Sequence, residues 1–246
     1  MNNIKKLLSE KGANIVRFVD ISSLPANQTQ GYMKAIVFCM ALSKEFIIAM
    51  RDGVKIDRDE FVEKEHETDA LADWLAEYLR QIGYRAYSQS EDSHQRNGNF
   101  DAKTRSSRLS HKTIARLAGI GYIGKNNLLI TEEYGCGFSM CTVLTDAPIT
   151  TENHPPLLSK CGHCDICTQV CAENAILGNE WSELTGREGV FDVDKCTCAL
   201  KCMVHCPQTL RYALQVELSE LSKDELWKLF PGGIVIGNQV CVAKSR

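Results

Sequence analysis

Apolar positions recur at helical spacing in two places in the first third of the chain. Over Asn2–Lys11 they are Ile4, Leu7 and Leu8, and Gly12 suits the C-terminal stop. Over Thr68–Ile82 they are Leu71, Trp74, Leu75, Tyr78, Leu79 and Ile82, one stripe that Gly83 closes. Ile15–Val19 reads as a short strand. Ser22–Gly31, with Pro25 and Asn27, reads as a loop. Lys34–Leu42 is a nearly continuous apolar run and predicts a buried strand, with Cys39 as a small hydrophobe inside it. Arg51–Lys64 is heavily charged and expected to be solvated. Tyr84–Tyr87 predicts a strand and the polar Ser88–Thr104 a loop. Ser110–Leu117 predicts a helix with Ser110 as N-cap. Leu128–Thr131 and Phe138–Thr145 read as strands joined by a turn at Gly135 and Gly137.

This alternation predicts an α+β or α/β domain over residues 1–150. Pro148, Pro155 and Pro156 mark a linker into a second region, 151–246. There Ala172–Leu177 reads as a helical turn and Gly178–Asp194 as an insertion of low apolar content. Thr209–Leu218 and Lys223–Phe230 read as helices, and Pro231–Arg246, with Cys241, as weakly strand-like.

The second region carries the chemistry. Of the chain's twelve cysteines, Cys161, Cys164, Cys167 and Cys171 form a C-x2-C-x2-C-x3-C run, the bacterial ferredoxin spacing for a [4Fe–4S] cluster. Cys196, Cys198, Cys202 and Cys206 form an irregular second run that ends in Cys-Pro. Three close cysteines wrap three corners of a cube, and the fourth reaches the other cluster. On that rule Cys161, Cys164, Cys167 and Cys206 hold one cluster, and Cys171, Cys196, Cys198 and Cys202 the other. Structural zinc sites and disulfides are the alternatives. His163 and His205 lie between ligand cysteines, where a hydrogen-bonding or solvent-facing role is expected.

A net charge of −3 argues against a globally basic nucleic-acid binder. A local patch remains: Arg96, Lys103, Arg105, Arg108, Lys112 and Arg116 face the single acid Asp101 over Arg96–Arg116. It is a solvated face or an anion site for a phosphate, a cofactor tail or an RNA backbone. No apolar run approaches the roughly 18 residues of a membrane span, and the start Met1–Lys6 lacks a secretory apolar core. A soluble protein of the reducing cytoplasm is expected.

Gly119-x-Gly121-x-x-Gly124-Lys125 has the letters of a dinucleotide loop but follows a helix and precedes a strand, the wrong context. Its backbone amides near Lys125 could hold an anion. Ser110-His111-Lys112, then Leu117–Thr131, Glu133-Tyr134-Gly135 and Val143–Pro148, followed by the first cysteine run, together resemble the core of the epoxyqueuosine reductase family. Its members are cobalamin-dependent iron–sulfur enzymes that reduce epoxyqueuosine in tRNA and are related to reductive dehalogenases.

The resemblance implies a nitroreductase-like first domain cradling a corrinoid and a two-cluster ferredoxin-like module. Two clusters would relay single electrons. Ser110, His111, Gly119, Gly121, Gly124 and Lys125 would lie at the cofactor. It also implies a redox donor protein and a small-molecule or modified-nucleoside substrate, with tRNA as a partner. The family's proton-donating acid falls near Arg105, where this chain has no carboxylate; Asp101 is the nearest. His111, Lys125 and Asp101 are therefore the catalytic candidates. His111 is a proton donor, a cofactor contact or a surface histidine at a helix start. Lys125 would neutralise a reduced cofactor or a phosphate. The chain ends about forty residues past Cys206, without the repeat region of the full-length enzymes. That departure and the absent acid keep a second reading open: a ferredoxin-like electron-transfer protein whose first domain docks a partner.

Overall fold

The computed structural model describes residues 3–56, 59–152, 154–216 and 220–229, and the backbone of 234–236 and 239–242. In chain order the elements are α1 (Ile4–Glu10), β1 (Ile15–Asp20), α2 (Ala26–Thr29), β2 (Lys34–Ala41), α3 (Lys44–Asp52), α4 (Glu60–Gln81), β3 (Ala86–Ser88), α5 (Glu91–Arg96), β4 (Phe100–Asp101) and β5 (Ser106–Ser107). There follow α6 (His111–Leu117), β6 (Gly121–Ile123), β7 (Leu129–Thr131), β8 (Phe138–Thr145), α7 (Ile166–Gln169), α8 (Lys201–Val204), α9 (Pro207–Leu214), α10 (Lys223–Leu229), β9 (Ile234–Ile236) and β10 (Gln239–Val242).

The chain folds as two compact units that are not contiguous in sequence. One comprises Met1–Leu42, Arg58–Ile120 and Phe138–Leu157; the other comprises Ser43–Asp57, Gly121–Gly137 and Leu158–Arg246. This division by contacts is a different partition from 1–150 and 151–246.

The first unit is built on an antiparallel sheet of order β1-β2-β8-β3. Its antiparallel pairing gives the mixed content an α+β rather than an α/β character. Strand residues alternate between faces. Ile36, Phe38 and Met40 of β2 and Cys141 and Val143 of β8 join Leu71, Ala72, Leu75, Ala76 and Leu79 of α4 in one core. Thr142 points the other way and meets His111 of α6, and α6 packs on β1, β2 and β8. Both faces are therefore covered, which is why β2 needs an unbroken apolar run.

The second unit holds the β6–β7 hairpin and helices α3 and α7 to α10. Ile166, Leu210 and Leu226 form a small core there, flanked by Ile48, Cys164, Val170 and Trp227. Among the described residues no helix is long and apolar enough to cross a membrane.

Several expectations are corrected. The stripe over Thr68–Ile82 is the second part of α4, which starts at Glu60 because Asp59 caps it by accepting from Val62 N. Ser88–Thr104 contains α5, capped by Ser90, and the start of the short β4–β5 ladder. Ser22–Gly31 contains the single turn α2. Leu129–Thr131 pairs with β6, whereas Phe138–Thr145 pairs with β2 and β3, so these two strands are not hairpin partners. Ala172–Leu177 is not helical; Ile176 bridges to Phe191. Leu218, Phe230 and the side chain of Cys241 lie outside the described residues.

Candidate functional site

In the second unit the two cysteine runs are drawn together by short, local structure. Cys164 N donates to Cys161 O at 2.9 Å, turning the first run around its own backbone. Lys125, 8% exposed, leaves the β6–β7 hairpin and donates from Nζ to Gly162 O at 2.7 Å and Cys164 O at 3.1 Å. Asn126 Nδ2 reaches Cys202 O at 3.3 Å. The same hairpin thus ties the loops of both runs. Gly121 permits it to close: a Cβ there would stand 2.2 Å from Ile130 O.

The thiols fall into two neighbourhoods. Cys161, Cys164 and Cys167 each lie in the field of Cys206, and Cys167 also in those of Cys164, Cys161 and, more weakly, Cys202. Cys202 lies in the fields of Cys196 and Cys171, and more weakly of Cys206. Burial, then these neighbouring sulfurs, push Cys167 and Cys202 up to about 12; burial also lifts Cys164 to about 11. Cys206 behaves oppositely. It is the N-cap of α9, and it is lowered to about 7, with the neighbouring Cys136 thiol the first cause and the backbone at Thr209 and Gln208 adding. A thiolate at a helix N-terminus is favoured for that reason. Ala175 N donates to Cys171 Sγ at 3.3 Å and Cys198 N to Cys196 Sγ at 3.4 Å. Cys198 is exposed and has left-handed backbone, φ 55°. None of the eight is in a disulfide among the described residues. Among the described residues no group of three or more His, Cys, Asp or Glu is drawn in around a single metal ion. Eight thiols in two runs of four equal in number the corners that two four-iron cubes offer to protein ligands.

Two further residues join the first neighbourhood. Tyr122 is buried, and burial followed by Cys161, Cys206, Cys136 and Cys164 raises its hydroxyl. Cys136 is a ninth cysteine beside Cys206. Sequence reasoning passed over Cys136, since a lone cysteine at a strand approach carries no spacing signal.

The remaining candidates lie in the first unit. Ser110 caps α6, its Oγ accepting from Lys112 N at 3.2 Å. His111 Nδ1 stands 2.8 Å from Thr142 Oγ1, and Thr142 donates to Gln89 Oε1 at 2.5 Å. Gln89 Nε2 donates to Leu109 O at 2.8 Å, which fixes the amide. Thr142 has one proton and gives it to Gln89, so His111 carries its own proton on Nδ1. Burial, with His94 and Lys112 adding, lowers His111 to about 3. It is neutral near pH 7. His94, which sequence reasoning did not single out, is buried on α5 with its ring 6.2 Å from that of His111. Its Nδ1 is 3.4 Å from Tyr87 Oη, and Nε2 has no hydrogen-bond partner among the described residues. Asp101 accepts from Lys103 N at 2.8 Å and Thr104 N at 3.3 Å, an exposed turn that holds its carboxyl below the usual range. Gly119 (φ 66°) ends α6, and a Cβ would meet His154 Cβ at 2.5 Å. Gly124 N donates to Leu128 O inside the hairpin. Ser110, His111 and Gly119 lie in the first unit, and Gly121, Gly124 and Lys125 in the second.

No protein-family model matches the chain. It is 28% identical over 126 residues to the epoxyqueuosine reductase of Aliivibrio fischeri, which covers 51% of this chain and 27% of that protein. It is 40% identical over 70 residues to that of Listeria monocytogenes, 28% of this chain and 18% of the relative. The matching part thus spans about a quarter or less of these curated relatives. In fold, it is similar to an epoxyqueuosine reductase solved with a tRNA-Tyr epoxyqueuosine-modified stem loop: TM-score 0.54, 16% identity, 94% of this chain and 75% of that one. It is also similar to a reductive dehalogenase structure described as suggesting a mechanism for B12-dependent dehalogenation: TM-score 0.51, 18% identity, 75% and 27%.

The class is accordingly the mixed α/β fold that epoxyqueuosine reductases and reductive dehalogenases share. Within it, sequence and fold together make this chain a relative of the epoxyqueuosine reductase family.

Proposed function

We propose that the chain is an iron–sulfur oxidoreductase of the epoxyqueuosine reductase type, with two [4Fe–4S] clusters that carry electrons toward a site in the first unit. The carrying observation is the gathering of Cys206 with Cys161, Cys164 and Cys167, and of Cys202 with Cys171 and Cys196. It supports the crossed partition that two cubes require. The C-x2-C-x2-C-x3-C spacing of the first run favours cubes over zinc.

The clusters supply single-electron storage; the chain's residues supply the rest. The thiols must lose their protons to take iron, and those raised by burial and mutual crowding do so only against the metal's charge. Amide N–H groups at Cys171 and Cys196 hold the charge left on sulfur. Lys125 and Asn126 hold the two cysteine loops to one hairpin. The relatives' chemistry brings a corrinoid, a modified nucleoside in tRNA and an external electron donor into the proposal. The exposed Arg96, Lys103, Arg105 and Arg108 are the surface offered to an RNA backbone. A ferredoxin-like module and a cytoplasmic location belong to the same proposal.

A ferredoxin-like donor without catalysis of its own is the second reading. It is favoured by the engaged Asp101 and the neutral His111, which leave the first unit's named candidates poor proton donors near pH 7. Anaerobic purification followed by iron and sulfide analysis, then calorimetry with cobalamin, separates the readings. About eight irons per chain are expected. Stoichiometric zinc without iron would overturn the cluster proposal. Clusters without cobalamin binding would leave the electron-transfer reading.

A further inference from the structure

Lys125 stands in the turn of the β6–β7 hairpin, and that turn leaves it little freedom. Gly124 N donates to Leu128 O at 2.9 Å, and Leu128 N donates to Asn126 Oδ1 at 3.2 Å. The backbone is therefore fixed on both sides of the lysine. The residue is 8% exposed. Its ammonium donates to two backbone carbonyls, Gly162 O at 2.7 Å and Cys164 O at 3.1 Å. Among the described residues no carboxylate lies within ion-pair distance of it.

A charge removed from water is costly unless an opposite charge meets it. Carbonyl dipoles answer only part of that demand. The loop that Lys125 grips carries two thiols assigned to the first cluster, and Cys164 N closes it by donating to Cys161 O at 2.9 Å. A four-iron cluster on four thiolates is an anion, because the thiolates outweigh the charge of the iron–sulfur core. The hairpin treats the second loop differently: Asn126 Nδ2 reaches Cys202 O at 3.3 Å with a neutral amide. One cysteine loop is thus held by a buried cation and the other by an uncharged donor.

We infer that Lys125 is the counter-charge of the cluster held by Cys161, Cys164, Cys167 and Cys206, a positioning residue whose fixed positive charge raises that cluster's reduction potential. A reduced cluster is more negative than an oxidised one, so a nearby cation stabilises the reduced form more, and local charge is among the factors that set these potentials. One electron enters from the external donor, no bond is made or broken, and the ammonium offsets the added charge without a proton moving. The second cluster, beside Asn126, lacks this bias. The inference rests on the cluster reading above.

The test is an anaerobic redox titration, followed by electron paramagnetic resonance, of the reconstituted protein and its K125Q and K125R variants. Gln keeps a donor for the carbonyls without the charge, and Arg keeps the charge. In K125Q the midpoint of the cluster whose signal Cys161→Ser depletes should move to lower potential, with the other unmoved. In K125R it should stay near that of the unsubstituted protein. If K125Q loads less iron, the midpoint is read on the loaded fraction. Unchanged midpoints in K125Q, an equal fall at both clusters, or the same fall in K125R would overturn the inference. So would loss of iron from K125Q and K125R alike, the mark of a clamp on the loop and nothing more. Absence of clusters from the unsubstituted protein would instead overturn the reading on which the inference rests.

Discussion

His111 and His94 show how burial sets the behaviour of a side chain more than its type does. Both are lowered from the usual histidine range, His111 to about 3, with burial the main cause. A histidine lowered in the native state binds fewer protons there than in the unfolded chain. Its stabilising contribution is complete above the unfolded value near 6.5 and is lost as pH falls from there toward about 3. Urea unfolding at a series of pH values should show stability falling between pH 6.5 and 5, above the range in which the lowered carboxylates act. Glu65 and Asp69 are raised by burial and oppose this trend, so the comparison is with His111→Gln. That variant should lose stability less steeply over the same window. Equal slopes would show that His111 is not the group responsible.

The β6–β7 hairpin is the element on which the cysteine loops depend. Gly121→Ala places a Cβ against the carbonyl of Ile130, a backbone atom with little room to yield. The strands must separate, and a cost of about 2 kcal/mol is expected. Thermal unfolding of G121A should show a lowered midpoint, and hydrogen exchange should show faster exchange at Ile123; an unchanged midpoint would refute the close pairing. Much at this scale was legible: β2 announced itself by a nearly continuous apolar run, β8 read as a strand, and α6 was marked by Ser110. The first turns of α4 were not, because Glu60–Glu67 carries no apolar stripe; Asp59 followed by Glu60 and Glu63 was the available signal. Helix α5 was hidden by polar residues whose helical role needs tertiary burial, as at His94. The pairing of β7 with β6 and of β8 with β2 is a choice among partners that local sequence does not make.

For the molecule as a whole, spacing alone proposes the crossed cysteine partition, whereas the place of Cys136 beside the second unit's cysteines came only with the fold. The partition predicts that Cys206→Ser and Cys161→Ser deplete the same cluster, and Cys171→Ser the other. Electron paramagnetic resonance of the reduced variants should give one signal for the first pair and a different one for the third. Identical residual signals in all three would contradict it. The sheet has a further consequence, in the order of synthesis. Strand β8 sits between β2 and β3 yet is made roughly a hundred residues after β2. At about 5–20 residues per second, β2 leaves the ribosome with one side unpaired and waits about 5–20 s for its neighbour. During that interval the β1–β2 pair offers an apolar edge to any other nascent chain, so its safe arrival depends on whatever shields it there.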